Sequence, residues 1–392
     1  MFDILLVILL VVALVAGLRA GFFSAIGTVC GLIAAGLVAP WVLPFVAGLV
    51  TDRAWHGITV VGSAIVLLAL GAAIGGAIGR VIRSGADKLR LKGIERLLGG
   101  VVSLVAATLV LSLTAAGIAS AGIPVLSAAA ASSTVLRTID RITPAPLAEA
   151  MARLHSAVLG DTVLPTIDGL LDDGELAPAP DLGSIDTDDP ALAAAAGSVA
   201  RVSGIAHQCG TIASGTGFVI AEDRIVTNAH VVAGVDTPLV ELPGEPARDG
   251  RVIYFDPVDD LAVIAADVDA APLPLADALV PGDAAVVQGY PYGGPFQTVP
   301  AGVIWSGSAP IGDIYGSATA DRAIYSLQAE VHPGNSGGPV LTASGAVAGV
   351  VFARDEVRAD VGYAMTNDEL RPVLDALDGS DDAVATGVCL AA

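Results

Sequence analysis

Four long apolar runs in the first third of the chain restrict its fold more than any other feature. They cover residues 2–18, 22–39, 58–78 and 97–118, each roughly the 17–22 residues that a helix needs to cross a bilayer. A backbone in hydrocarbon must satisfy its own polar groups, which such runs do as helices. The first run has the length of a signal peptide, but it lacks a basic start and three further runs follow. Four transmembrane helices are therefore expected. Gly71, Gly75 and Gly79 recur on one face of the third, which permits close helix packing. No charged residue lies deep in a run, so the helices read as an anchor, or a sensor and assembly module, and not as an ion path.

Basic residues set the orientation. Arg80, Arg83, Lys88, Arg90, Lys92 and Arg96 separate the third and fourth runs, and Arg19 separates the first two. Such loops stay in the cytoplasm. With four spans, the N-terminus and everything after about residue 120 then lie outside, in a multi-pass protein of the cell (inner) membrane whose helices contact the lipid bilayer. This layout and its small-residue texture resemble the colicin V production protein family of four-span inner-membrane proteins.

Charge divides the chain. Residues 1–120 hold eight Lys/Arg and four Asp/Glu, a net +4, while residues 121–392 hold eleven and thirty-six, a net −25. So acidic a composition excludes nucleic acid as a partner, because phosphate binding needs basic residues. Residues 121–198 are rich in Ala, Ser, Asp and Pro. Within them, Leu147, Met151, Leu154 and Val158 have helical spacing, and His155 reads as a surface side chain. The acidic, proline-containing stretch 161–190 reads as an exposed linker. Such a segment is open to proteolysis, so release of the last domain by cleavage between about Leu171 and Ala196 is expected.

From 199 onward, short β-rich runs at 201–206, 217–220, 224–227, 251–255, 261–265, 284–288, 323–327 and 346–352 are broken by turn residues. That pattern indicates a β-sandwich or barrel. A closing helix is expected near 367–377, where Thr366 and Glu369 have capping-box spacing. The expected organisation is a four-helix transmembrane domain (1–120), a partly helical extracytoplasmic linker (121–198) and an all-β domain with a C-terminal helix (199–392).

Three motifs in the last part carry chemistry. Gly215-Thr216-Gly217-Phe218-Val219-Ile220 leads to Thr227-Asn228-Ala229-His230-Val231-Val232. Asp259-Asp260-Leu261-Ala262-Val263 comes next, and His332-Pro333-Gly334-Asn335-Ser336-Gly337-Gly338-Pro339 closes the set. Alone, the last is also consistent with a Gly/Pro-rich turn. A serine hydroxyl becomes an effective nucleophile beside a base. His230 and Asp260 supply a base and its orienting acid, in the chain order His, Asp, Ser. Together these runs resemble the chymotrypsin-fold serine proteases, most closely the trypsin-like branch that includes the HtrA type. The resemblance implies a double β-barrel, a triad of His230, Asp260 and Ser336, and an oxyanion hole made by the N–H groups of Gly334 and Ser336. No PDZ module follows the last helix, so HtrA-like oligomer control is not expected.

Neighbouring residues are weighed on the same terms. Asp260 is preferred over Asp256 and Asp259 because it directly precedes the Leu-Ala-Val strand. His332 is assigned to the wall of the cleft, since a base must reach the serine. His207 beside Cys209 lacks further ligands for a metal, and His56 is at a membrane edge; neither metal nor cofactor is expected. Glu330, six residues before Ser336, is a candidate for the base of the substrate pocket, where it would favour basic side chains; the alternative is a carboxylate turned away or paired. Cys30 reads as a small buried side chain. Cys209 and Cys389 read as a disulfide if their domain is extracytoplasmic, or else as two thiols.

The whole layout resembles the MarP-type actinobacterial membrane-anchored periplasmic serine proteases. That resemblance implies a serine endopeptidase cutting envelope proteins or peptides under acid or oxidative stress, with self-cleavage and a disulfide that supports the active form. The competing reading is a membrane scaffold or sensor whose protease-like domain mainly binds partners.

Overall fold

The computed structural model describes residues 2–47, 53–86, 92–120, 133–159, 164–167, 185–206, 209, 211–377 and 382–390. The chain divides into two compact units, Met1–Thr114 and Ala115–Ala392.

Helices α1 (Phe2–Ala20), α2 (Phe22–Ala47), α3 (Arg53–Ala86) and α4 (Lys92–Ser120) follow the four apolar runs. Among the described residues, α1 and Gly93–Ser112 of α4 are long and apolar enough to cross a bilayer, while the apolar stretches Phe22–Gly36 and Val66–Ile82 are shorter. Ile4, Val7, Ile8, Val11 and Val12 of α1 are exposed, an outward apolar surface suited to lipid. The second apolar run ends at residue 39, yet α2 continues through Pro40 to Ala47. Proline removes one backbone bond, a loss that apolar helices can accommodate locally. Cys30, expected to be buried, is exposed on α2. The glycine face of α3 lies against α2: a Cβ on Gly71 or Gly75 would run into the carbonyls of Gly31 and Gly27. Arg80 and Arg83 extend α3, and Lys92 and Arg96 begin α4, while Lys88 and Arg90 lie outside the described residues.

The second unit contains helices α5 (Thr134–Ile142), α6 (Ala145–Leu159), α7 (Pro190–Ala196), α8 (Ala229–Val232) and α9 (Asn367–Ala376). Its strands are β1 (Thr166–Ile167), β2 (Val199–Ala206), β3 (Thr211–Ala221), β4 (Arg224–Thr227), β5 (Leu239–Glu241), β6 (Arg248–Asp249) and β7 (Arg251–Asp256). They continue as β8 (Leu261–Ala265), β9 (Ala284–Gly289), β10 (Gln297–Gly312), β11 (Thr319–Gln328), β12 (Pro339–Leu341), β13 (Val347–Asp355) and β14 (Val361–Thr366). One sheet runs β6-β5-β2-β3-β4-β8-β7; the other runs β1-β13-β12-β9-β10-β11-β14, and a β13–β14 pairing closes it. This is the chymotrypsin-like double-barrel architecture with its terminal helix. A shared core joins the two halves through Phe218, Leu261, Ile324, Phe352 and Met365, all 2% exposed or less.

Part of the segment expected as an exposed linker is built into this unit. Leu192 of α7 is fully buried, and its carbonyl accepts from Gln288 Nε2 at 2.9 Å. Upstream, β1 adds to β13 in parallel, with Arg354 N–H donating to Pro165 O at 3.0 Å. On α6, Gln297 Nε2 donates to Glu149 Oε1 at 3.1 Å, and Arg153 lies over the Tyr292 ring. The expected capping box of α9 is half formed. Thr366 Oγ1 accepts from Asp368 N–H, but Glu369 accepts from Ala323 N–H of β11 instead of capping its own helix.

Asp355 ends β13 at 3% exposure. Burial alone would raise its carboxyl, but hydrogen bonds from the side chain and N–H of Arg358, from Tyr363 Oη and from Val357 N–H outweigh that. The carboxyl is held well below the usual carboxylate range. A folded value depressed below the unfolded one stabilises fully above about pH 4 and is lost only as pH falls through the lower folded value. Asp355→Asn is therefore expected to lower stability by about 1–3 kcal/mol at neutral pH. Thermal melts across pH should show that gap unchanged down to about pH 4 and narrowing below it.

Candidate active site

Strand β4 delivers the chain to Asn228, and the single turn of α8 that follows places His230 at 5% exposure. Opposite, the turn between β7 and β8 ends at Asp260, which adopts a left-handed φ of 56°, a region that aspartate tolerates better than most residues. Asp256 shapes that turn by accepting from Val258 N–H at 2.8 Å and Asp259 N–H at 3.1 Å. Asn228 Nδ2 donates to the Asp260 carbonyl at 2.9 Å.

One carboxylate then engages His230 twice. Asp260 Oδ1 accepts from His230 N–H at 2.9 Å, and Oδ2 lies 2.7 Å from His230 Nδ1. This arrangement directs Nε2, the other ring nitrogen, away from the carboxylate and leaves it available as a base. Asp256 and Asp259 take no part in it. Burial, then Asp256, raises the Asp259 carboxyl.

Ser336 sits in a loop tied to the first barrel through Thr216, which is itself fully buried. Thr216 N–H donates to Ser336 O at 2.8 Å, and its hydroxyl donates to Gly334 O at 2.7 Å. Thr227 Oγ1 in turn donates to Thr216 O at 2.7 Å. Thr216 belonged to a quoted motif, but its role as the strut of this loop was not read from the sequence. A threonine between two glycines was the available signal. Gly334 has φ +97° and Gly337 φ +80°, conformations that favour residues without a Cβ. Among the described residues, no hydrogen bond uses the N–H of Gly334 or of Ser336.

The third contact is unmade. Ser336 is fully buried, and neither its Oγ nor His230 Nε2 has a hydrogen-bond partner among the described residues. Catalytic bonds often close only when substrate is bound. A cavity beside His230 is lined also by Asp260, Arg322, Phe352, Ile167 and Cys389, with Ser336 outside its walls.

His332 commits both ring nitrogens elsewhere. Nδ1 lies 3.2 Å from Tyr292 Oη, Nε2 lies 3.2 Å from Glu330 Oε1, and the ring stacks on Tyr292. Burial pushes the His332 pKa down despite Glu330. The Glu330 side chain is 66% exposed, so the structure places it at the surface with a histidine partner and not enclosed beneath the loop. Cys209 and Cys389 are joined in a disulfide with a Cα–Cα distance of 6.3 Å. It lies near the end of α8, where Gly234 N–H donates to Thr386 O at 3.0 Å. His207 lies outside the described residues, and among those described no three His, Cys, Asp or Glu side chains form a metal cluster.

Family models match in two places. The trypsin-like peptidase domain covers residues 215–350, and colicin V production protein covers residues 2–144. The chain is 34% identical over 325 residues to serine protease Rv3671c of Mycobacterium tuberculosis, spanning 80% of this chain and 79% of that protein. It is 36% identical over 163 residues to putative serine protease HhoB of Synechocystis, spanning 39% and 37%. The crystal structure of the Rv3671c protease in its active form superposes with a TM-score of 0.52 at 34% identity, covering 56% of this chain and 99% of that one.

Proposed function

The chain belongs to the serine protease family of Rv3671c, in which a colicin V production module joins a trypsin-like peptidase domain, and we propose that it is a multi-pass membrane endopeptidase cutting envelope proteins outside the cytoplasm. The observation that carries the site assignment is the double engagement of His230 by Asp260. Ser336 Oγ bonds to the scissile carbonyl carbon as its proton passes to His230 Nε2. The N–H groups of Gly334 and Ser336 hold the resulting oxyanion. Collapse breaks the C–N bond, and His230 returns the proton to the leaving amine; water then releases the acyl group by the same steps. Asp260 keeps the ring oriented and stabilises the imidazolium.

The basic loops argue for the outside placement, and the Cys209–Cys389 disulfide suits an oxidising compartment. Work under acid or oxidative stress fits that compartment. We place self-cleavage between about Leu171 and Leu192, because a cut beyond Leu192 would separate that buried side chain from the core of its domain. Full burial of Ser336 favours the second reading, a scaffold that binds partners. Full-length wild type and Ser336→Ala in membranes, treated with a fluorophosphonate, decide between them. Wild type is expected to carry the adduct on Ser336 and new termini between about Leu171 and Leu192, and the variant neither. An unlabelled wild type leaves the scaffold.

A further inference from the structure

Arg322 is an arginine where a strand should be apolar. It shares the inward face of β11 with Ile324 and is 1% exposed. Its Nη2 donates to the carbonyls of Val258 and Gly312, the latter at 2.9 Å. Its Cζ lies 5.7 Å from the Phe352 ring centroid, and its Nε has no hydrogen-bond partner among the described residues. Burying a guanidinium is costly unless charge and hydrogen bonds compensate, and two carbonyls alone do not neutralise it.

The location accounts for the expense. Val258 lies in the turn that ends at Asp260, and that turn belongs to the first barrel, whereas β11 belongs to the second. One hydrogen bond therefore crosses the barrel interface and pins the backbone two residues before Asp260, whose left-handed φ needs outside support. The guanidinium also lines the cavity shared by His230 and Asp260. The charged groups facing it are Asp256, Asp259 and Asp260 from the turn and Glu369 from α9, with His230 of α8 across the cavity. Burial lowers the guanidinium from its ordinary value, and those four carboxylates oppose the change.

We infer that Arg322 is a positioning residue for the Asp260–His230 pair, tying the Asp260 turn to the second barrel and fixing a positive charge beside its carboxylate. The inference rests on the triad reading above. A positive charge near Asp260 makes a second one on the His230 ring less favourable, so its removal moves the acid limb of the reaction upward.

The test uses the full-length protein in detergent, following the second-order rate of Ser336 labelling by a fluorophosphonate across pH, beside thermal melts. Arg322→Met is expected to slow labelling about 10- to 100-fold and to move the acid limb up by roughly half to one pH unit. Arg322→Lys keeps the charge and should restore the wild-type limb with an intermediate rate. Should the Met variant not fold, Arg322→Gln, which retains a donor without the charge, carries the same expectation. A merely structural role would lower the melting temperature and leave the limb in place. An unshifted limb in the neutral variant, beside a labelled wild type, overturns the inference alone. A wild type that takes no label overturns the triad reading and this inference with it.

Discussion

His230→Ala and Ser336→Ala are each expected to lower kcat by about a million-fold, and the double variant to be no slower than either single one. The reason is that Ser336 and His230 act as one unit. A serine without its base keeps its proton, and a base without its serine has nothing to activate. The residual rate should come from binding and from the uncommitted N–H groups of Gly334 and Ser336. Hydrolysis of fluorescently labelled casein by the full-length protein in detergent measures all three variants. Additive losses in the double variant would mean that the two side chains act separately, against the triad proposed above. KM should change little, because neither side chain forms the extended binding surface.

Gly337→Ala is expected to abolish activity and to cost about 4 kcal/mol or more in stability. Its φ of +80° already penalises any Cβ. A Cβ there would also meet the Thr216 carbonyl and Thr227 Oγ1, which are hydrogen-bonded to each other. Gly337 N–H donates to Val351 O at 2.8 Å, so the loop cannot shift without breaking its link to β13. A thermal melt should fall by about 10 °C, taking roughly 2–4 °C per kcal/mol for a domain of this size. A variant melting within a few degrees of wild type would show that the loop yields more readily than its contacts indicate.

The second barrel was the harder half to read. Its strands β10, β12 and β14 were not among the expected runs. β10 carries Pro300 and several Gly and Ser residues, and β12 spans only Pro339–Leu341. They are strands because β9, β11 and β13 stand beside them with unpaired edges, which is a property of the barrel and not of their composition. The linker misled in the opposite direction. Its Ala, Asp and Pro content signals exposure, yet Asp189 caps α7, accepting from Ala191 N–H at 2.7 Å, and Leu192 closes the core. Glu330 was placed by its offset from Ser336, and an offset does not encode which way a side chain turns.

The sequence by itself determined the apolar helices, the basic residues between them, and the three motifs that hold His230, Asp260 and Ser336. Each of these is carried by signals within a few residues: a run of apolar side chains, a turn that only glycine permits, a motif at fixed spacing. Only the tertiary structure decided that Asp260 grips His230 twice, that Thr216 supports the nucleophile loop, and that Cys209 meets Cys389 across 180 positions. The link from Arg322 to Val258 spans 64 residues and depends on two barrels packing against each other. The difference is physical. Local chain chemistry sets which groups exist and what each can do, whereas the burial that aims them at one another arises only when distant strands exclude water together.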